Sequence, residues 1–115
     1  MTLPIRHPAL VSFHVTNRMG EDFDEPNAET VNRVLAELDE PVDEEHPDVS
    51  LTHQSEWSLG AFPSGLVIWE NVADRHGSPQ HLRGVSREKL RELWTALASG
   101  DIERVDAESW LPGYG

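Results

Sequence analysis

The chain has 115 residues, 21 acidic and 9 basic side chains, a formal charge of -12 and no cysteine. That length suits one domain, residues 1–115, able to bury a core without metal or disulfide staples. The missing thiols exclude zinc-thiolate sites, iron-sulfur clusters, redox motifs and cysteine nucleophiles.

No apolar run approaches the ~20 residues of a membrane span, and no basic then apolar leader opens the chain, so a cytoplasmic protein is expected. A strong negative charge disfavours nucleic acid and anionic lipid as partners and favours a basic protein.

In chain order, Ala9, Val11, Phe13 and Val15 alternate with Leu10, Ser12, His14 and Thr16, the period of a strand over 9–16 with one face on a core. Acidic loops are expected at 21–26 and 39–48, where Pro26, Pro41 and Pro47 interrupt regular structure. Between them Asn27 caps a helix whose apolar stripe is Val31, Val34, Leu35 and Leu38. Val49, Leu51 and His53, then Trp57, Leu59 and Ala61, alternate as two further strands. Pro63-Ser64-Gly65 turns the chain into the apolar run 66–69, expected to be a central strand covered on both faces. The three form an antiparallel meander.

Residues 71–84 read as loop with room for one short strand. Ser86 caps a second helix with the stripe Leu90, Leu93, Trp94 and Leu97, stopped by Gly100. Asp101 caps a further short turn through Ile102 and Val105. Trp110 and Leu111 fold back on the sheet, and Pro112 and Gly113 end ordered structure. The fold class is α+β: an antiparallel sheet of about four to five strands with two main helices packed on one face.

Chemistry-bearing motifs are scarce. There is no G-x-S-x-G, Walker loop, G-x-G-x-x-G or H-E-x-x-H, so no catalytic residue or cofactor is assigned. His46 and His53, seven apart on an extended segment, lie too far apart to share an ion ligated at ~2 Å. His76 and His81 flank a turn without a third ligand nearby in sequence, so no metal site is assigned either. Trp57 and Trp94 fall in phase with core faces and Trp110 staples the tail. Trp69 has two readings, core or aromatic anchor for a partner.

The charge is local. From Glu21 to Asp48 there are twelve carboxylates against Arg33 alone, whereas the other 87 residues carry nine acids and eight bases. Such crowding raises self-repulsion, and a cationic partner gives it a reason. The expected partner-binding residues are Asp22, Phe23, Asp24, Glu25, Glu40, Asp43, Glu44 and Glu45, with Phe23 or Trp69 as the apolar anchor.

The helix at 29–38, the strand at 49–53, Trp57-Ser58-Leu59-Gly60, Gly65-Leu66-Val67-Ile68 and the closing helix with its trailing Trp110 together resemble, in order and spacing, the Imm1-type immunity proteins of bacterial polymorphic toxin systems. The early strand and the long acidic loop before Val49 have no counterpart in that layout. The resemblance implies a small non-enzymatic protein that neutralises a cognate toxin domain, often one acting on nucleic acid and therefore basic. Two rivals stand beside it. One is a small enzyme or ligand-binding accessory protein with a pocket between sheet and helices, and the other is a DNA mimic with carboxylates spaced like phosphates.

Overall fold

The computed structural model describes residues 12–41, 45, 47–74 and 77–115. Strands β1 (Phe13–Thr16), β2 (Asp22–Asp24), β3 (Val49–His53), β4 (Trp57–Ala61), β5 (Val67–Asn71), β6 (Gln80–Leu82) and β7 (Leu111–Pro112) make one sheet in the order β2-β1-β3-β4-β5-β6-β7. Every neighbouring pair is antiparallel.

Register separates the two faces because side chains alternate along each strand. Val15 pairs with Leu51, Leu51 with Leu59, and Leu59 with Trp69, an unbroken apolar row. Against this face pack Val34, Leu35 and Leu38 from helix α1 (Ala28–Ala36) and the 3₁₀ turn Glu37–Asp39 that continues it. Leu90, Leu93, Trp94 and Leu97 of α2 (Arg87–Ala98) and Val105 of α3 (Ile102–Asp106) complete the core. All three helices therefore lie on one side of the sheet.

Each helix starts where its sequence supplies an acceptor for otherwise unpaired amides. Thr30 N donates to Asn27 Oδ1 at 2.9 Å, Lys89 N to Ser86 Oγ at 3.1 Å and Arg104 N to Asp101 Oδ1 at 3.2 Å. Gly100, at φ 85°, takes the left-handed conformation that ends α2.

Indoles tie the layers together. Trp57 and Trp69 stack with centroids 4.6 Å apart, and Trp110 stacks on Trp69 at 6.0 Å. Trp69 Nε1 donates to Asp106 Oδ1 at 3.2 Å, Trp94 Nε1 to the Leu59 carbonyl at 3.1 Å and Trp110 Nε1 to the Val105 carbonyl at 2.8 Å.

The α+β class, the meander and the two main helices stand, but the sheet has seven strands rather than four to five. The additions are at its edges: β2 forms inside the segment expected to be an acidic loop at 21–26, and Pro112 lies in β7 instead of ending order. Two residues of β2 are aspartate, which disfavours strand locally, so pairing to β1 and inward packing of Phe23 decide the outcome. The apolar run at 66–69 is expected to be a central strand covered on both faces; the strand spans Val67–Asn71, and Val67, Ile68 and Trp69 are all buried, Ile68 on the side away from the helices. Residues 9–11 of the expected first strand and 42–44 and 46 of the acidic loop at 39–48 lie outside the described residues. No helix among the described residues is long and apolar enough to cross a membrane.

Candidate protein-binding face

On the far side of the sheet, register assembles two polar rows. One runs Asp24, His14, Thr52, Ser58, Glu70 and the other Asp22, Thr16, Ser50, Gly60, Ile68, His81, Leu111. Asp48, two residues before Ser50, shares their side. Four carboxylates thus belong to one face, and no lysine or arginine stands in either row.

Inside the rows, Thr52 Oγ1 and Ser58 Oγ share a hydrogen bond of 3.0 Å, and both residues are more than nine-tenths buried. Thr16 Oγ1 donates to Asp22 Oδ1 at 2.6 Å.

The C-terminal residues lie across one corner. Gly113 O accepts from His81 Nδ1 at 3.0 Å, which fixes the ring's proton on Nδ1 because a carbonyl can only accept. Arg83 donates to the Gly115 carbonyl. The phenol of Tyr114 is raised above its usual range, chiefly by the negative charge of Glu70.

Between this tail and β3 is a cleft of about 240 Å³. Small residues, Ser50, Ser58 and Gly60, form its floor; Phe62, Ile68, Val72 and Tyr114 wall it, and Asp48 and Glu70 contribute the charge. Partial burial lifts the Asp48 carboxyl above the usual carboxylate range, opposed by a hydrogen bond to its own backbone. A carboxylate that has lost part of its hydration gains from a cation brought next to it.

The expected site residues divide. Asp22 and Asp24 are exposed on the edge strand β2 and belong to the open face. Glu25 accepts from Ser12 Oγ, a local contact between strand ends. Glu40 pairs with Arg18 at 3.5 Å and its neighbour Asp39 with Arg87 at 3.2 Å, so this cluster is partly neutralised within the fold. Glu45 is exposed, and Asp43 and Glu44 lie outside the described residues.

Neither proposed apolar anchor serves as an exposed one. Trp69 has 0% exposure, stacked between Trp57 and Trp110, and Phe23 packs against the core. Burial follows from parity: position 69 pairs with Leu59 on the helix-covered side.

Sequence reasoning missed Glu70, Gly60 and Tyr114. The signal was available in the small and polar members of each alternating strand, but the length of each alternation does not say whether that side is covered.

A second depression of about 250 Å³ lies where α1 and α2 meet the sheet, lined mainly by Phe13, Val31, Leu51, Trp94 and Ala98, with Arg91 held by Asn32 Oδ1 at 3.0 Å. Among the described residues that line it there is no histidine or carboxylate, the groups expected to converge in an accessory-protein pocket. Among the described residues no three histidine, aspartate or glutamate side chains are grouped to hold a metal ion. His46 and His76 are outside the described residues. Comparisons with known protein families, curated proteins and solved structures find no significant match to this chain.

Proposed function

We propose that this is a non-enzymatic binding protein that captures a basic protein on the open face of its sheet, an inhibitor of the immunity-protein kind that occupies a cationic functional surface. The observation that carries the reading is the asymmetry of the sheet: its three helices are on one side, while Asp22, Asp24, Asp48 and Glu70 are on the other. Carboxylates on the face away from the helices attract a cationic surface over roughly a Debye length, ~8 Å at physiological salt, and raise the association rate.

A fluorescein-labelled arginine-rich peptide tests the face directly by anisotropy. Saturable 1:1 binding is expected, weakened about tenfold or more when Asp22, Asp24, Asp48 and Glu70 are changed together to their amides. The matching change of Glu29, Glu88, Glu92 and Glu103, on the helices, is expected to alter it less than twofold. Equal losses from the two sets would mean diffuse charge attraction and overturn the reading.

A further inference from the structure

Gly60 is in the middle strand of the meander, where glycine is unfavourable because it loses backbone entropy and contributes no side chain to pack. Backbone geometry does not require it, since its φ is not in the left-handed region. Steric crowding does not require it either. A Cβ there would meet only the Val49 carbonyl, at 3.8 Å, an ordinary contact. What the missing side chain does provide is the floor of the cleft between Ser50, Ser58 and Ile68.

Ser58 adds a second sign. Its hydroxyl is buried yet lines the cleft, and its hydrogen bond to Thr52 occupies only part of its capacity to accept. Glu70 lines the same cleft as the Tyr114 ring, and its carboxylate has lone pairs for a further donor.

We propose that this cleft is a pocket for one arginine side chain of the basic partner, its stem lying over Gly60 against Ile68 and its guanidinium between Glu70, Ser58 and the Tyr114 ring. The inference rests on the open face being the binding surface and specifies its anchoring contact. Charge complementarity selects a cation. A planar donor that stacks on an aromatic ring while donating to a carboxylate and a hydroxyl is a guanidinium rather than an ammonium. Asp48, ~16 Å from Glu70 between α carbons by strand geometry, extends the attraction to the other end of the cleft.

The probe is N-acetyl-arginine methylamide titrated into the ¹⁵N-labelled full chain, with the citrulline and lysine derivatives as comparisons. Saturable amide shifts are expected at Ser50, Ser58, Gly60, Glu70 and Tyr114, with a Kd on the order of millimolar, as suits one side chain. The neutral citrulline isostere is expected to give at most a tenth of the affinity, and lysine several-fold less than arginine. Gly60→Val is expected to abolish the shifts while leaving the thermal midpoint equal or higher, because valine suits a strand. Glu70→Gln, on the surface, is expected to weaken binding at least fivefold and keeps the test valid if the valine variant fails to fold.

Shifts of equal size with citrulline or lysine, shifts scattered along β2, or unchanged binding in both variants would overturn the pocket. If the arginine-rich peptide still binds the face while the single arginine does not find the cleft, the pocket fails and the binding-face reading stands. If the peptide also fails to bind, the broader reading falls.

Discussion

Glu108 accepts from Arg104 Nη1 at 2.6 Å and pairs with Lys89 at 3.1 Å, linking α3 to the first turn of α2. The hydrogen bond from Arg104 leads in lowering its carboxyl below the usual range; the Lys89 hydrogen bond and the charges of both cations add to it, while partial burial opposes. A carboxyl with a depressed folded pKa contributes stability that is present above its unfolded value and lost as pH falls through the folded one. Glu108→Gln is therefore expected to cost about 0.5–1.5 kcal/mol at pH 7, and the difference from the parent should close under acid. Urea melts at pH 7 and pH 3 measure it, and an undiminished gap at pH 3 would contradict the assignment. Asp48 has the opposite sign. Its raised pKa means that the folded chain holds the proton more tightly, so stability falls as pH rises through that value, and Asp48→Asn is expected to leave pH 7 stability equal or slightly higher. Glu56, at φ 74°, holds a left-handed conformation in the β3–β4 hairpin that a non-glycine residue resists. Glu56→Gly should raise stability by about 0.5–1 kcal/mol, read as a higher midpoint at unchanged denaturant slope.

Among the elements, α1 and α2 were legible because cap and stripe agree within a dozen residues: Asn27 and Ser86 each precede an apolar i, i+3, i+4 and i+7 repeat. The meander was legible for the same reason at period two. β2 and β7 were not, because a strand of two or three residues containing aspartate or proline has no local preference to detect; both exist through pairing with β1 and β6. The face bearing the cleft was half legible. Alternation separates Ser50 and Thr52 from Val49 and Leu51, but only the placement of the three helices on one side determines which set faces away from them. The aspartates of β2 also have an element-scale duty. An exposed edge strand is a template for pairing with another chain, and charge on it suppresses that. Asp22→Thr with Asp24→Thr is expected to retain the fold and introduce concentration-dependent self-association, followed by light scattering; a variant that remained monomeric at high concentration would remove edge protection as a role for these carboxylates.

For the molecule as a whole, the question is how far the charge acts as a field and how far as contacts. Part of the acidity is used internally: Arg18 is held by the Glu37 and Pro41 carbonyls as well as by Glu40, and Arg87 bonds Asp39 together with the carbonyls of Leu38 and Pro63. These arginines fasten the end of α1 to the sheet and to the start of α2, and subtract from the potential on that side. The carboxylates of β2, β5 and Asp48 lie on the face of the sheet away from the helices, so their field points to that side. A field accelerates encounter and is screened by salt, whereas a contact formed after docking slows dissociation and is screened much less. Stopped-flow binding of the arginine-rich peptide is therefore expected to show an association rate that falls about tenfold or more between 25 and 300 mM salt, with dissociation changing less than threefold. Substituting Asp22 and Asp24 should reduce the association rate and its salt dependence together. Substituting Glu70 should act mainly on dissociation, because its carboxylate forms a wall of the cleft rather than the rim of the sheet. If Glu70 and the β2 aspartates instead altered the two rates in the same proportion, the face would be a uniform patch of charge with no anchoring contact in it.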